Sequence, residues 1–317
     1  HIGNVVVRKL LEKGEKVRVL VLKGSNVDAL KDLDVDICYG DIMSSSDLDK
    51  ATTGIENVYH LAAVISTVSY DVPIVTKINF LGTKNVIGAC LENKINRLIY
   101  ISSFHALRRT PEGQEAVEAI GYDPDARQGV YDRSKARASI AVLDAVQNDG
   151  LDAVIVCPTG VLGPYDFLPS DFGKYINDYI KGKQKVILNG GFNFADVRDV
   201  ANGIVGAGKK GRKGETYILG GNWMTMQELN IILEKFTGVP KPKIRFPLAI
   251  AYVLGWTLEN ISRFTHKNPV LSVYTLRTLQ ENPIITSKKA RDELGYTIRD
   301  TEQALIDHTK WVQDNLN

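Results

Sequence analysis

The chain of 317 residues is long enough for one large domain or two moderate ones, and its 44% hydrophobic and 24% charged residues are typical of a soluble globular protein. The net charge of +2 gives no electrostatic argument for nucleic acid or an anionic membrane as a partner. No signal peptide is visible and no apolar run reaches transmembrane length, so we expect a cytoplasmic protein.

The chain opens with a helical pattern, "HIGNVVVRKLLEKG", whose apolar residues recur at helical spacing until Gly14. Short apolar, β-branched runs then alternate with longer helical stretches, and such runs suit strands that are buried on both faces. The predicted strands are 16–22, 35–41, 57–63, 97–103 and 153–160, and the predicted long helices are 73–93, 131–149 and 171–182.

This alternation predicts an α/β fold with a doubly wound (Rossmann) parallel sheet. Such a sheet begins with a strand and a tight glycine turn, whereas this chain begins with a helix. We therefore expect that the first strand and its glycine turn are missing from the given sequence. Gly3 would be the last glycine of that turn, would let the helix pack close to the strand, and would lie beside amides that hold a pyrophosphate.

Beyond about residue 165 the strand–helix rhythm loosens. Thr225 and Glu228 have the T-x-x-E spacing of a capping box, and residues 240–300 read as largely helical with several prolines. We predict a dinucleotide-binding core at 1–164 and a mixed region at 165–317. Within the mixed region about 186–225 returns to the core, and the remainder forms a smaller, mostly helical substrate lobe.

The most apolar stretch, residues 246–256 ("FPLAIAYVLGW"), is too short to cross a bilayer and is closely flanked by charge, so we predict a buried helix and no membrane partner. Cys38, Cys90 and Cys157 are far apart and lack C-x-x-C spacing. We expect them to be reduced packing residues, and we expect no metal site.

The end of the second expected strand bears on the choice of coenzyme. An NAD site usually has an acidic residue there for the ribose hydroxyls, but this chain has Leu22, Lys23 and Gly24. The missing acid removes a repulsion against a 2′-phosphate, and Lys23 could attract it. We expect NADP ahead of NAD, although Lys23 as an ordinary turn lysine remains the alternative.

Two further strand ends suit a dinucleotide. Asp41 could accept a hydrogen bond from an adenine amino group, with Ile42 against the ring. Ala62 and Ala63 are small enough to let a dinucleotide lie close to the backbone. His60, which precedes them, we interpret as a buried strand histidine with a satisfied ring.

Tyr131 and Lys135, in "YDRSK", share one face of a predicted helix, one turn apart. An ammonium beside a phenol favours the phenolate and lowers the pKa of the phenol from its ordinary value of about 10. Tyr179 and Lys183 have the same spacing, but Gly182 disfavours a sustained helix there. On spacing alone, Tyr131 as a packing residue and Lys135 as a solvated lysine stay open.

Motifs along nearly the whole chain carry a family resemblance. In order they are "HLAA", "NFLGTKNV", "RLIYISS", "YDRSK", "PTGVLGPYD", "VRDVANG", "YILGGNWMT" and "SKKARDELGY". The chain resembles an extended short-chain dehydrogenase/reductase of the NAD-dependent epimerase/dehydratase family, most of all its dihydroflavonol 4-reductase-like branch. The departures are the absent glycine turn, the Leu22–Lys23 pair and the segment "SSFHALRRTPEGQ".

The resemblance implies three catalytic residues. Tyr131 would be the acid or base, Lys135 would bond the nicotinamide ribose, and Ser103 would donate to the substrate oxygen, with Ser102 as the second candidate. Pro158 to Val161 would contact the nicotinamide carboxamide. The full set of expected cofactor contacts is Ile2, Gly3, Lys23, Asp41, Ile42, Ala62, Ala63, Val64, Ser102, Tyr131, Lys135, Pro158 and Val161.

Other motif residues have expected structural roles. We interpret Asn79 as a helix-distorting residue and Asp199, with Arg198, as a structural contact. His105 borders the substrate site or is an ordinary loop histidine. The resemblance also implies a possible homodimer through the helices at 73–93 and 131–149.

The function that this resemblance implies is NADP(H)-dependent reduction of a carbonyl on a small or medium organic substrate. The alternative is a nucleotide-sugar epimerase or dehydratase with tightly bound NAD, in which basic residues of the second lobe contact a diphosphate; the candidates are Lys209, Lys210, Arg212 and Lys213. A non-catalytic dinucleotide-binding sensor is the third reading, and Ser103, Tyr131 and Lys135 argue against it.

Overall fold

The computed structural model describes residues 1–111, 113–265, 269–282 and 284–315. The strands are β1 Val17–Val21, β2 Val35–Tyr39, β3 Asn57–His60, β4 Arg97–Ile101, β5 Ala153–Pro158, β6 Gly160–Leu162, β7 Val186–Ile187, β8 Gly191–Asp196, β9 Thr216–Leu219, β10 Asn222–Thr225 and β11 Ile244–Arg245. The α-helices are α1 Ile2–Leu11, α2 Ser45–Thr52, α3 Pro73–Thr76, α4 Thr83–Glu92, α5 Val130–Asn148, α6 Asp171–Ile180, α7 Val197–Lys210, α8 Met226–Thr237, α9 Leu248–Thr265, α10 Val273–Thr278, α11 Lys288–Leu294 and α12 Thr301–Asn315.

The main sheet is parallel and has the strand order β3-β4-β5-β9. β1 and β2 form a separate parallel pair. The two sheets are separate because, among the described residues, no strand lies between β1 and β3 and forms hydrogen bonds with both. The predicted α/β class with parallel strands is confirmed.

Helices cover both faces of the main sheet, as the two-sided burial of its strands requires. On one face α1 and α7 pack against alternate residues of β4 and β5, including Ile99 and Val154. On the other face α4 and α5 pack against Leu98 and Ile155. β9, α7 and α11 come from the second half of the chain but belong to the main sheet and the helices that cover it. β9 pairs with β5, and α11 contacts both β9 and α7.

A third core lies outside the main sheet. β6, β8 and β10 form a mixed three-stranded sheet, and β7 pairs with β11. α6, α8 and α12 pack around residues such as Leu162, Phe194 and Leu305. The predicted capping box is present: Glu228 N–H donates to Thr225 Oγ1 at 3.1 Å, and Thr225 N–H donates to Glu228 Oε2 at 2.8 Å.

The prediction that residues 246–256 form a buried helix is half wrong. The segment is helical, in α9, but Ile250, Val253 and Trp256 are exposed. The residues that α9 buries are small or polar, so its apolar composition did not indicate the face it turns inward. Within the described residues, no helix is long and apolar enough to span a bilayer.

The three cysteines are free thiols, and Cys90 and Cys157 are buried. Desolvation raises the pKa of both to about 12, so neither forms the thiolate that nucleophilic or metal chemistry needs. Across the described ranges, no group of three or more His, Cys, Asp or Glu side chains is arranged to hold a metal ion.

Candidate active site

The candidate site lies where β4 ends and α5 begins. Ser102 and Ser103 follow the last residue of β4 directly, and Tyr131 lies in the first turn of α5. The chain enters α5 through Gly129, where a Cβ atom would lie 2.8 Å from the backbone oxygen of Val68. Only glycine permits that approach, which brings Tyr131 to the carboxyl edge of the sheet.

Lys135 reaches this edge from one helical turn further along α5. Its side chain is almost completely buried, and its ammonium donates to the backbone oxygen of Ile101 at 2.5 Å. It also lies 4.7 Å from the centre of the Tyr100 ring, a favourable cation–π distance. An ammonium has three donors, so donors beyond the bond to Ile101 remain for a ligand hydroxyl.

The two serines have different surroundings. Ser102 is hydrogen-bonded to Ser139 of α5, with 2.7 Å between the two hydroxyl oxygens. Ser103 accepts the His105 N–H at 3.2 Å, and its hydroxyl interacts with the Tyr131 phenol. Ser103 is therefore the serine that faces the candidate acid, while Ser102 is committed to joining the strand to the helix.

The expected lowering of the Tyr131 pKa by Lys135 is wrong. Desolvation raises the pKa of Tyr131 to about 12, and the bond to Ser103 only partly opposes this. The same burial lowers the pKa of Lys135 to about 7. Because burial disfavours both charged forms, it weakens the cation that was expected to stabilise the phenolate.

The edge after β3 is built by Asn79. Residues Lys77–Gly82 form a π-helical turn between α3 and α4, which bears out the interpretation of Asn79 as helix-distorting. Its side chain accepts the Val64 N–H at 2.7 Å and donates to Val64 O and Ser134 Oγ, both at 2.9 Å. Asn79 thus ties the segment that contains the exposed Ala62 and Ala63 to α5.

The other expected cofactor contacts lie at the ends of β1 and β2. Lys23 is exposed in the turn after β1. Asp41 follows β2, and its Oδ1 accepts the Met43 N–H at 2.9 Å. Ile42 packs beneath α4, since a Cβ atom on Gly82 would lie 2.6 Å from its Cδ1. Its side chain is therefore at least partly committed to the helix.

Pro158 ends β5 in full burial and Val161 lies in β6, so both flank the same strand junction. Between them, the Thr159 hydroxyl is buried and has no hydrogen-bond partner among the described residues. At the chain's start, Ile2 packs on the core, but a Cβ atom on Gly3 would meet nothing within 4 Å. The close packing expected of Gly3 is on a strand expected before α1, so it stays a prediction.

The residues present fit a dinucleotide on three counts. Lys135 has donors left over, the Thr159 hydroxyl is buried and unpartnered, and Ala62 and Ala63 present small side chains to solvent. Thr159, Ala62 and Ala63 follow the carboxyl ends of parallel strands, and Lys135 contacts the last residue of β4. This edge is where ligands bind in open α/β sheets.

His60 is a structural residue, as interpreted from the sequence. It is buried, and its Nε2 lies 2.9 Å from the Thr83 hydroxyl. Desolvation and the charge of Lys135 lower its pKa to about 3, so the ring is neutral at physiological pH.

A polar network behind Tyr131 was not foreseen from the sequence. The Tyr274 hydroxyl of α10 donates to Asp132 at 2.7 Å, and the His105 ring lies edge-on to the Tyr274 ring. His105 Nδ1 is 3.2 Å from Glu281, which also accepts from Arg109 at 2.8 Å. The only sequence signal was Asp132, an acid in the first turn of a helix, where such residues are common.

Burial and charge set the protonation of this network. Desolvation raises the pKa of Asp132 to about 6, partly opposed by the charge of His105. Burial alone would lower the pKa of His105, but the charge and hydrogen bond of Glu281 overcome this and raise it to about 9. His105 is therefore an ion-paired residue and not an ordinary loop histidine.

Two sets of sequence candidates fall outside the site. Tyr179 is buried in the third core with its hydroxyl bonded to Val239 O at 2.8 Å, and Lys183 lies beyond the end of α6. The basic residues near 209–213 precede β9, at the amino edge of the sheet. There Lys209 pairs with Glu15 and Arg212 with Glu293, so neither is available to a ligand at the opposite edge.

Comparison with known proteins identifies the family. The model of the NAD dependent epimerase/dehydratase family matches residues 1–220. The chain belongs to the NAD-dependent epimerase/dehydratase family. It is accordingly an NAD(P)-dependent enzyme of the extended short-chain dehydrogenase/reductase type, and the family resemblance of its motifs is confirmed.

Relatives of this family member are similar over almost their whole length. Sterol demethylase protein B of Methylococcus capsulatus is 31% identical over 99% of this chain and 96% of its own. A putative dihydroflavonol 4-reductase of Synechocystis is 32% identical over 99% of this chain and 92% of its own. The solved structure of gox2253 is 30% identical with a TM-score of 0.85, covering 99% of this chain and 95% of its own.

Proposed function

We propose that this enzyme reduces a carbonyl group on an organic substrate by hydride transfer from NADPH, with Tyr131 as the proton donor. The observation that carries the proposal is the half-buried Tyr131 side chain, whose phenol faces Ser103 at the end of β4, where the backbone oxygen of Ile101 accepts from the Lys135 ammonium. A phenol with a raised pKa stays protonated at neutral pH, which is the form that donates a proton to a reduced carbonyl.

The roles of the neighbouring residues follow from their donors. Ser103 donates a hydrogen bond to the substrate oxygen, where negative charge develops during reduction. Lys135 holds the nicotinamide ribose with the donors that Ile101 does not use. When bound, the dinucleotide supplies the hydride, while the chain's own residues orient the carbonyl and provide the proton.

The test is a single-atom change. Tyr131→Phe removes only the phenolic oxygen, so we expect loss of at least about a hundredfold in kcat while NADPH binding, followed by fluorescence titration, is retained. Tyr179→Phe is the matched control, because it removes a buried phenol with the same spacing to a lysine, and it should leave kcat unchanged. Equal turnover in Tyr131→Phe and the native protein would overturn the proposal.

We propose NADPH over NADH because Lys23 is exposed after β1 and no acidic residue stands at that strand end. Lys23→Glu replaces an attraction for the 2′-phosphate by a repulsion, so the KM for NADPH should rise about tenfold or more while the KM for NADH changes little. Lys31→Glu makes the same charge change on a nearby exposed residue and should leave both constants unchanged. Equal effects of the two variants would contradict a role for Lys23.

For the substrate we propose an apolar, ring-containing ketone, and the names of the sterol and dihydroflavonol relatives support this class. A panel of steroid ketones, dihydroflavonols and simple aldehydes, followed by NADPH absorbance, would test it. Purified protein that carries bound NAD and converts a nucleotide sugar without net coenzyme turnover would instead establish the epimerase alternative. The basic residues near 209–213 do not favour that alternative, because they lie at the other edge of the sheet.

We also propose a homodimer through the faces of α4 and α5, as the family resemblance implies. Ile74 and Leu81, on the helical stretch that leads into α4, are exposed apolar residues on this side. Sedimentation velocity over a range of protein concentrations would detect the dimer. A Leu81→Glu variant should shift it toward the monomer, and an unchanged mass distribution would contradict this interface.

A further inference from the structure

Helix α9 is amphipathic in the reverse of the usual sense, because its polar side faces the protein and its apolar side faces solvent. The side toward the protein consists of small and polar residues, namely Ala251, Gly255, Glu259 and Ser262. The side toward solvent carries a stripe of large apolar residues at helical spacing, namely Ile250, Val253, Leu254, Ile261 and Phe264. Val253 is 67% exposed and Phe264 85%, while Trp256, 63% exposed, flanks the stripe.

The polar inner side fixes this orientation. The buried Glu259 carboxylate accepts the Ser69 N–H at 3.0 Å and the Ser69 hydroxyl at 2.6 Å. Ser262 is 2.6 Å from the Tyr70 hydroxyl. Rolling the helix to bury its apolar stripe would leave a desolvated carboxylate without these partners, which is a severe penalty. The hydrogen bonds of Glu259 and Ser262 therefore keep the apolar stripe facing solvent.

Within α9 and the segment that leads into it, the exposed charges have one sign. Between residues 241 and 265 the only acidic residue is the buried Glu259. Lys243 and Arg245 precede α9, Arg263 lies near its end, and within the described ranges none of these three has a carboxylate at ion-pair distance. Lys243 and Arg245 also line a cavity of about 350 Å³ beside the start of the helix.

We propose that α9 docks on an anionic lipid surface, with its apolar stripe in the boundary between headgroups and acyl chains and Lys243, Arg245 and Arg263 against lipid phosphates. An apolar helix face bordered by cations and an exposed tryptophan is the pattern of interfacial helices. A symmetric contact with a second copy would oppose these cations to the same cations of the partner, which is unfavourable. The expectation of no membrane partner was drawn from the net charge of +2, which does not show this local pattern.

The test is flotation of the full chain with lipid vesicles. We expect it to float with phosphatidylcholine vesicles that contain phosphatidylglycerol, to bind pure phosphatidylcholine weakly, and to lose binding as salt rises. Replacing Trp256→Ser and Phe264→Ser together should weaken binding by about tenfold or more. The matched control is Ile231→Ser with Phe236→Ser, two exposed apolar residues of α8, which should bind as the native chain does.

Circular dichroism and NADPH binding establish that each variant is folded. Replacing Lys243→Ala and Arg263→Ala together should reduce binding to the anionic vesicles and leave the weak binding to phosphatidylcholine unchanged. Absence of vesicle binding by the native chain overturns the proposal, as does equal loss in the α8 control. A self-association that the Trp256 and Phe264 changes abolish, without vesicle binding, would assign the face to a second copy instead. Binding of free UDP in the basic cavity, without vesicle binding, would assign those cations to a nucleoside diphosphate.

Discussion

Burial acts in opposite directions on the two ionisable side chains of the site. It raises the pKa of Tyr131 and lowers that of Lys135, because each loses the hydration of its charged form. Near neutral pH the phenol is therefore protonated and the lysine is only partly charged. A further acceptor at the lysine would favour its ammonium form, so binding a ligand hydroxyl there and protonating Lys135 are coupled.

His105 should make the stability of the protein depend on pH. Glu281 raises the pKa of His105 to about 9, against about 6.5 in an unfolded chain. The contribution of His105 to the free energy of unfolding is thus complete below pH ~6.5 and is lost as pH rises through about 9. We expect His105→Asn to destabilise the protein by about 1–2 kcal/mol at low pH, allowing for partial exposure of the pair.

Urea unfolding of the native chain and of His105→Asn over this pH range measures the effect. The difference between the two proteins isolates His105 from Lys135, whose lowered pKa acts in the opposite sense at alkaline pH. Arg109 still pairs with Glu281 in the variant, so no carboxylate is left alone. A difference that does not change with pH would show that the imidazole is not charged in the folded protein.

For single residues of the site, the sequence was sufficient where the residue lies at the end of a strand or a helix. Ser103, Tyr131 and Lys135 could be predicted because a strand ending in two serines and a long helix are local patterns. Asp132 and Tyr274 are 142 residues apart, and no local pattern indicates that they meet. The sign of the Tyr131 pKa change was also beyond the sequence, because it depends on burial.

The π-helical turn at Lys77–Gly82 is the element that shapes the cofactor edge. It lets the Asn79 side chain reach both the backbone of Val64 and α5. The backbone groups of Val64, which follow β3 and have no strand partner in the described part of the chain, need such hydrogen bonds. Wide turns of this kind are frequent at functional sites. The sequence predicted one helix over 73–93, and this segment is helical. The spacing of its apolar residues did not reveal the π-helical turn within it.

Asn79→Ala should therefore affect both stability and dinucleotide binding. It leaves the part-buried backbone groups of Val64 without their partners, so we expect a loss of about 1–3 kcal/mol in the free energy of unfolding. The segment 62–64 should then lose its position and bind NADPH more weakly, as a fluorescence titration would measure.

Asn93→Ala provides the matched control for Asn79→Ala. Asn93 joins the end of α4 to Asp49 and Thr52, away from the cofactor edge. Its replacement should lower stability but leave NADPH affinity unchanged. If Asn79→Ala bound NADPH as tightly as the native chain while folded, segment 62–64 would not position the dinucleotide.

Helix α9 marks the limit of sequence prediction at the scale of elements. Its composition indicated a buried helix, since apolar residues are usually inside. The burial of Glu259 depends on Ser69, which is 190 residues away in the chain. Which side of a helix faces inward is settled by such long-range partners when both sides contain apolar residues.

Over the whole molecule, ion pairs join α12 and the segment before it to β8 and α7. Arg198, at the start of α7, donates to both Asp196 and Asp307 of α12, each at 2.5 Å. Arg299 N–H donates to the buried Asp199 at 2.7 Å. These contacts bear out the structural interpretation of Arg198 and Asp199. They also link the core containing α7 to the core containing α12.

Arg198→Met should destabilise the whole molecule and not one region alone. It leaves the fully buried Asp196 carboxylate with only a distant cation, so we expect a loss of about 2–4 kcal/mol. Unfolding in urea, followed by far-UV circular dichroism and by tryptophan fluorescence, should shift equally for both signals.

Arg212→Met is the matched control, because Arg212 pairs with Glu293 on the surface, and it should change stability far less than Arg198→Met does. Separate transitions for the two signals in Arg198→Met would show that the cores unfold independently.

The position of α12 in the chain has a consequence for biosynthesis. Residues 301–315 supply Leu305 and Val312 to a core whose other members in α6, β8 and α8 precede them in the chain. During translation, the apolar surfaces of these earlier elements therefore stay exposed to solvent until α12 has left the ribosome. The same delay applies to Asp166, whose buried carboxylate meets His308 only then. Chaperone dependence of the nascent protein should accordingly be greatest just before this helix emerges.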